Sequence, residues 1–243
     1  MDGQIIALGG GGFSDSSEPD LDVYVLEQSL VTKPKIGFIP TASGDADSYL
    51  VKFYSRFTAL NCEPSHLPFF RRTPGLEEWV KSQSIIYVGG GNTKSMLAVW
   101  QAWALPALLM KAMQSGTVLA GISAGAICWF EYGITDSNAG LLEPLECLGF
   151  LPGSCCPHYS KEKERKPAYE RLVSSGAVPD GMAIDDGAAI HFKNGAPYRV
   201  VAGTHGVGAY QITRTTNGAT TQSVPRVETV QLYVRHGAGI DVS

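Results

Sequence analysis

The sequence has no excess of positive charge and no long hydrophobic run. Its 243 residues include 19 lysines and arginines against 23 aspartates and glutamates, a formal net charge of −4. Nucleic acids and anionic membranes bind proteins through clustered basic residues, so we expect neither as a partner. No segment reaches the roughly 18 apolar residues of a membrane span, and the N-terminus does not resemble a signal peptide. These absences favour a cytoplasmic protein.

Cysteine is scarce, and no metal or nucleotide motif is recognisable. The five cysteines are an odd number and none lies in a C-x-x-C pair, so neither a disulfide scaffold nor a zinc finger is indicated. No H-x-x-x-H or H-E-x-x-H motif occurs. The glycine run at residues 9–12 fits neither G-x-G-x-x-G nor a phosphate-binding loop. We therefore expect no metal and no cofactor.

The apolar content of 44% is enough to build one large core, and we expect a single domain over residues 1–243. Up to residue 122, short apolar runs alternate with helical patterns, which is typical of a parallel sheet covered on both faces. The predicted strands are residues 4–8, 35–39, 64–69, 84–88 and 117–122, and the predicted helices are residues 21–30, 48–60, a short one from about residue 75, and 93–115 divided by Pro106.

The pattern changes after the last of these strands. Residues 131–157 show no strong period and contain turn-forming residues, so we expect a long excursion of the kind that is often functional. A charged helix is predicted at residues 161–174. The remaining predicted strands are residues 182–184, 188–192, 198–202, 207–214 and 228–234. The pattern favours an α/β sheet with an antiparallel C-terminal extension.

A G-x-S-x-G motif at residues 121–125 follows a predicted strand and precedes a predicted helix. Small residues around Ser123 permit the strained turn of a nucleophile elbow, which lifts the hydroxyl clear of the sheet. The same turn directs the Ala124 N–H, at a helix N-terminus, toward an oxyanion on the attacked carbonyl. The alternative is a glycine-rich turn in which Ser123 only caps the helix.

A serine nucleophile requires a general base, and the five histidines are the candidates. His191 lies in a predicted strand, His66 in a weakly predicted one, and His236 near the C-terminus. His158 ends the aperiodic segment directly after a proline, which stiffens the backbone that presents the ring. We therefore favour His158 as the base, with His205, in a glycine-flanked turn, as its rival.

The base in turn requires a carboxylate that fixes its tautomer. Asp185 and Asp186 form an acidic corner between two predicted strands. Adjacent residues of an extended chain point to opposite faces, so only one of the two can face the histidine. Asp136 is the competing candidate, and any of the three has capping of a turn as its alternative role.

A second glycine segment, residues 89–91, ends a predicted strand and precedes Asn92. Consecutive glycines let backbone N–H groups approach a ligand, because no Cβ stands in the way. At this edge of an open α/β sheet they lie beside the serine turn, so the segment offers a second oxyanion donor. The alternative is a tight strand-to-helix turn capped by Asn92.

Together these segments resemble the peptidase E group of serine peptidases, which includes the cyanophycinases. The similarity extends over residues 1–190 and keeps the same order: residues 89–93 after a strand, residues 121–126 around the serine, Pro157-His158, and the corner at residues 185–187. Residues 36–42 are also similar to the second strand of the family. Each motif is short, but four in register are specific.

The resemblance implies a three-layer α/β fold, flavodoxin-like or class I glutamine amidotransferase-like, with a mostly parallel sheet and antiparallel C-terminal strands. It implies Ser123 as nucleophile, His158 as base and Asp186 as the acid. The N–H groups of Gly91 and Ala124 are implied as oxyanion donors. The chain order Ser, His, acid differs from the order Ser, acid, His of α/β-hydrolases, which argues against a lipase or esterase.

The resemblance also implies hydrolysis of short peptides, with the preference for an N-terminal aspartate that defines peptidase E. Binding that carboxylate requires a basic side chain, for which Arg165 is the candidate and Arg171 the alternative. Two other functions stay open. One is a non-catalytic small-molecule binder on the same scaffold, and the other is an amidase-type hydrolase, although glutamine amidotransferases use Cys where this chain has Ser123. The sequence leaves the oligomeric state open, a homodimer included.

Overall fold

Two β-sheets organise the residues that the structure, a computed structural model, describes: residues 3–139, 141–224 and 227–232. In chain order the strands are β1 (Gln4–Leu8), β2 (Lys35–Ile39), β3 (Glu63–His66), β4 (Ile85–Val88), β5 (Val118–Ile122), β6 (Phe130–Thr135), β7 (Glu143–Glu146), β8 (Leu151–Cys156), β9 (Gly181–Ile184), β10 (Ala188–Lys193), β11 (Ala196–Ala202), β12 (Ala209–Thr215), β13 (Gly218–Ser223) and β14 (Thr229–Gln231). The α-helices are α1 (Pro19–Glu27), α2 (Asp47–Phe57), α3 (Leu76–Ser82), α4 (Thr93–Ala102), α5 (Leu105–Gln114), α6 (Ala124–Ile127) and α7 (Arg165–Ser175).

The larger sheet has eight strands in the spatial order β14-β11-β10-β1-β5-β4-β2-β3. The first five strands of the chain run parallel to one another. Strand β10 is antiparallel to both β1 and β11, whereas β14 is parallel to β11. The prediction of a mostly parallel sheet with antiparallel strands near the C-terminus is confirmed, with β14 as the exception.

Helices cover both faces of this sheet. Successive side chains of a strand point to opposite faces, so Ile85 and Ile86 of β4 belong to different cores. One core packs the sheet against α1 and α2. The other packs it against α3, α4, α5 and α6. The resulting three layers are the fold class that the sequence predicts.

The predicted division of residues 93–115 into two helices is confirmed. Pro106 stands in the first turn of α5, where its missing N–H has no intrahelical partner to lose. Among the described residues no single helix has the length and apolarity of a membrane span, and α4 and α5 meet those criteria only as a pair bent by 89°.

The prediction that residues 131–157 form an aperiodic excursion is wrong. They contain most of β6 and all of β7 and β8, which join three later strands in a six-stranded sheet of order β13-β12-β9-β8-β6-β7. Strand β7 lies at the edge with three of its four residues exposed, and β8 ends in three consecutive buried residues. Neither pattern alternates between apolar and polar residues, so the period of a strand is missing from the sequence.

Other observed elements also differ from the predicted ones. The charged helix predicted at residues 161–174 is α7, which begins at Arg165, while residues 161–164 form turns. Strand β13 was not predicted, because its residues are mostly exposed and polar. The predicted strand 228–234 is observed as β14 up to Gln231, and its last two residues lie outside the described part of the chain.

Candidate active site

Segments that follow strands of both sheets meet at one place. Ser123 follows β5 and the glycines at residues 89–91 follow β4, both in the larger sheet. His158 and Asp186 follow β8 and β9, both in the smaller sheet. Open α/β sheets place their sites beyond the carboxyl ends of the strands. The smaller sheet therefore supplies two of the side chains that meet at this site.

The backbone at Ser123 has the strained geometry of a nucleophile elbow. Its φ of 55° and ψ of −114° are uncommon for a residue with a side chain. A Cβ at position 121 would collide with the carbonyl oxygen of Gly125, and one at position 125 with that of Val88. Both glycines of the motif are thus required by close backbone approach. The Ser123 side chain makes no capping hydrogen bond to α6 within the described chain, contrary to the alternative of a simple helix cap.

Three side chains form a continuous hydrogen-bonded chain. His158 Nε2 lies 2.9 Å from Ser123 Oγ. His158 Nδ1 lies 2.5 Å from Asp186 Oδ1. The His158 backbone also has a positive φ, 54°, at the turn that brings the ring back toward β5. The arrangement can accept a proton from the serine and stabilise the resulting imidazolium.

The other two carboxylates point elsewhere. Asp185 is buried, and its Oδ2 accepts hydrogen bonds from Gly208 N and Tyr210 Oη, each at 3.0 Å. Asp136 is 66% exposed, and its Oδ2 lies 3.8 Å from the Arg165 guanidinium. Of the three candidate acids, Asp186 is the one within hydrogen-bonding distance of His158.

The remaining histidines lie away from Ser123 or outside the described chain. His191 is buried between Tyr24 and Gln4, and this burial lowers its pKa to about 4. His66 bonds to a tyrosine hydroxyl of α2, and burial lowers its pKa also. His205, the rival base, is exposed in the segment between β11 and β12. His236 lies outside the described residues.

Asp186 accepts on both oxygens. Lys161 Nζ lies 2.8 Å from Oδ2, the oxygen that His158 does not use. Partial burial raises the pKa of Asp186, but the hydrogen bonds from His158 and Lys161 outweigh it and hold the pKa below the ordinary value. The hydrogen bond to Asp186 raises the pKa of Lys161. Lys161 is absent from the residues predicted for the site, because the sequence there reads as a solvated charged helix.

Two backbone N–H groups lie beside Ser123. Gly91 has a φ of 136°, and a Cβ there would collide with the carbonyl oxygen of Ala42. Within the described residues the Gly91 N–H has no hydrogen-bond acceptor, whereas the next amide, of Asn92, donates to that carbonyl. Ala124 is the first residue of α6, so no carbonyl of a preceding helical turn faces its N–H. Both groups are available to an oxyanion.

The Asn92 alternative is also observed. Its Oδ1 accepts from Ser95 N at 2.8 Å and caps α4. An ideal Cβ on Gly90 would lie 3.2 Å from the Cβ of Ser123, so the glycine segment runs directly past the serine. The same turn therefore caps a helix and lines the site.

Two cavities open on either side of Ser123 and His158. The larger, about 540 Å³, is lined by Tyr49, Lys52 and Lys161 among others. The smaller, about 360 Å³, includes Asp136 and Arg165, among others. A further cavity of about 740 Å³ lies at the opposite ends of the strands. Within the described ranges, no three or more His, Cys, Asp or Glu side chains are grouped so that they could hold a metal ion.

Arg165 forms part of the wall of the smaller cavity and is almost fully buried. Its Nε donates to Glu162 Oε2 at 2.5 Å, and its Nη1 donates to the Ile134 carbonyl at 3.2 Å. Asp136 approaches from the exposed side. The guanidinium charge is therefore shared between two carboxylates.

Comparison with known sequences gives a family. The sequence model of peptidase family S51 matches residues 5–198. A relative from Bacillus subtilis strain 168, the uncharacterized peptidase YgaJ, is 51% identical over 213 residues, covering 86% of this chain and 91% of the relative.

Two solved structures share the fold. A peptidase from an acI-B1 actinobacterium superposes with a TM-score of 0.65 at 21% identity, covering 92% of this chain and 98% of that one. A candidate peptidase E protein from Listeria monocytogenes EGD-e has a TM-score of 0.60 at 17% identity, covering 92% and 100%.

Proposed function

The chain belongs to peptidase family S51 and is a serine peptidase, and from this premise we propose that it is an exopeptidase or dipeptidase with a Ser123-His158-Asp186 triad. The observation that carries the proposal is the unbroken hydrogen-bonded chain from Ser123 Oγ through the His158 ring to Asp186. The strained backbone at Ser123 supports it as well, because strain of this kind concentrates at functional residues.

In the proposed reaction Ser123 Oγ attacks the scissile carbonyl while its proton passes to His158 Nε2. The N–H groups of Gly91 and Ala124 stabilise the oxyanion of the tetrahedral intermediate. The proton then moves from His158 to the leaving amine as the C–N bond breaks, which leaves an ester on Ser123. A water molecule, deprotonated by His158, attacks that ester and releases the acid and the free serine.

The proposed substrates are short peptides. Both cavities beside Ser123 are small, and the wall of the smaller one includes the buried Arg165, whose Nε donates to the more exposed Glu162. Cavities of about 540 and 360 Å³ accommodate a short peptide, and this limited size supports an exopeptidase that acts on short substrates.

We propose Arg165 as the group that meets the side chain of an N-terminal aspartate. Its guanidinium is close to Ser123 and held in place by two hydrogen bonds. Glu162 and Asp136 share its charge, so we expect aspartate to be favoured rather than required.

All five cysteines are free thiols, a state that a reducing compartment preserves, and this supports a cytoplasmic enzyme.

The test is Ser123→Ala, with labelling by a fluorophosphonate probe and hydrolysis of dipeptides that begin with Asp, Glu, Asn or Ala. We expect hydrolysis to fall by about a thousandfold or more and labelling to disappear. Ser115→Ala, at the exposed end of α5, is the matched control and should behave as the unmodified protein.

Full peptide hydrolysis by Ser123→Ala would refute the proposed nucleophile. Hydrolysis of side-chain amides with no cleavage of the dipeptides would favour the amidase. Absence of both labelling and hydrolysis in the unmodified protein would leave the small-molecule binder.

A further inference from the structure

The carboxylate of Asp186 has a different hydrogen-bond partner on each oxygen. His158 Nδ1 lies 2.5 Å from Oδ1, and Lys161 Nζ lies 2.8 Å from Oδ2. We propose that Lys161 is a positioning residue, whose ammonium group holds Asp186 in the orientation that serves His158. This inference rests on the triad proposed above.

Lys161 and His158 belong to the same turn. The Glu162 N–H donates to the His158 carbonyl at 3.1 Å and closes this turn, with Lys161 on its outer side. Asp186 lies on the turn between β9 and β10. The Lys161–Asp186 ion pair therefore runs beside the His158–Asp186 hydrogen bond and joins the same two turns a second time.

The carboxylate needs such a second contact. Rotation about the terminal torsion of an aspartate is soft, so one hydrogen bond leaves the plane of the carboxylate poorly fixed. On its inner side Asp186 is confined by Gly10, where a Cβ would collide with Oδ1. On the outer side Lys161 supplies the contact. The side chain of Asp186 is 17% exposed and that of Lys161 64% exposed, so the lysine reaches inward from solvent to a mostly covered group.

Lys161 also separates Asp186 from other acids. Its Nζ lies 3.9 Å from Asp15 Oδ2, and Glu18 is close enough to raise its pKa as well. Without the ammonium group these carboxylates would repel the ionised form of Asp186. The charged and titratable groups around Asp186 are His158, Lys161 and Glu162 from the histidine turn, Asp15 and Glu18 from the segment after β1, and Asp185 from its own turn, which points away. Tyr49 and Lys52 of α2 line the same cavity as Asp186.

The inference is tested with Lys161→Met, which removes the ammonium group and keeps an apolar side chain. The rate of Ser123 modification by a fluorophosphonate probe is measured from about pH 3 to pH 9, together with kcat and KM for a cleaved dipeptide. We expect a roughly three- to tenfold slower reaction near neutral pH, the range for a solvent-exposed charge-assisted contact. KM should not change.

The pH dependence of the reaction is the measurement that a purely structural role of Lys161 would not change. Loss of Lys161 removes one of the two hydrogen bonds that hold the pKa of Asp186 below its ordinary value, so activity on the acid side should be lost at a higher pH than in the unmodified protein. Lys161→Arg keeps the charge and should recover part of the rate. Lys163→Met removes an equal charge from an exposed position two residues away and should match the unmodified protein.

Four results would overturn the inference. A higher KM for acidic dipeptides with an unchanged pH profile would mean that Lys161 binds the substrate. An equal effect of Lys163→Met would mean that the loss of activity comes from the change in net charge alone. If the unmodified protein reacts at Ser123 and Lys161→Met is indistinguishable from it, the role of Lys161 is wrong and the triad stands. If the probe leaves Ser123 of the unmodified protein untouched, the triad itself is wrong, and the role of Lys161 falls with it.

Discussion

At the scale of single residues, one pair of substitutions can identify the acid partner of His158. Asp186→Asn keeps the size of the side chain but supplies an amide where the histidine requires a carboxylate. The imidazole then loses its preferred tautomer, and we expect kcat to fall on the order of ten-thousandfold. Dipeptide hydrolysis is the measurement.

Asp136→Asn is the control for that substitution, because the Asp136 side chain is exposed and directed toward Arg165. It should stay within about twofold of the unmodified kcat, since exposed ion pairs contribute little. A larger loss from Asp136→Asn than from Asp186→Asn would transfer the acid role to Asp136.

The residues of the site differ in how far the sequence could predict them. Ser123 is marked by a local motif, because close backbone contacts require glycines on both sides of it. The choice between Asp185 and Asp186 depends on which way each side chain points at a bend, which no local pattern records. Lys161 is mostly exposed and lies among other charges, so nothing in the sequence separates it from a solvated surface residue.

At the scale of elements, the first five strands of the larger sheet were predictable and β8 was not, for a reason visible in its packing. Cys155 packs into the core behind the larger sheet, while the next residue, Cys156, packs into the separate core under α7. Both faces of β8 are therefore covered, and no polar residue alternates with the apolar ones there. One proline and one glycine in the same strand make it still harder to recognise from the sequence.

The contacts of Asp22 join three elements and make a pH-dependent prediction. Asp22 Oδ1 accepts from Phe13 N at 3.2 Å, and its Oδ2 accepts from Arg56 Nε of α2 at 2.9 Å. Burial on α1 raises the pKa of this carboxyl to about 6, although the Arg56 contact opposes the shift. The folded state therefore binds a proton that the unfolded state has already released between about pH 4 and pH 6.

Ionisation of Asp22 thus costs stability, and the cost grows as pH rises through that window and is complete above it. Relative to Asp22→Asn, the unmodified protein should lose about 2 kcal/mol of unfolding free energy between pH 4 and pH 6. Denaturant unfolding at several pH values measures this difference. Asp47→Asn, at a 75% exposed carboxylate paired with Arg71, should leave the slope unchanged. Parallel curves for Asp22→Asn and the unmodified protein would contradict the prediction.

At the scale of the whole molecule, the two sheets share a core. The aromatic rings of Phe130 in β6 and Phe192 in β10 lie 5.6 Å apart, edge to face, across the junction. Leu151 of β8 and Ile184 of β9 belong to the same core as the inner strands of the larger sheet. The site also takes its serine from one sheet and its histidine and aspartate from the other. We propose on these grounds that the chain folds as one domain.

If the chain folds as one domain, it should unfold in one cooperative transition, and a substitution at the junction should destabilise both sheets together. Phe130→Ala empties a fully buried position and should lower the unfolding free energy by about 3 to 5 kcal/mol. Far-UV circular dichroism reports both sheets, and the fluorescence of the buried Trp100 and Trp129 reports the core around the larger sheet. Both signals should shift together, since loss of the shared core weakens each sheet. Phe70→Ala, at a 57% exposed phenylalanine, should shift neither appreciably. An early transition seen by circular dichroism, with tryptophan fluorescence unchanged until higher denaturant, would mean that the smaller sheet unfolds as a unit of its own.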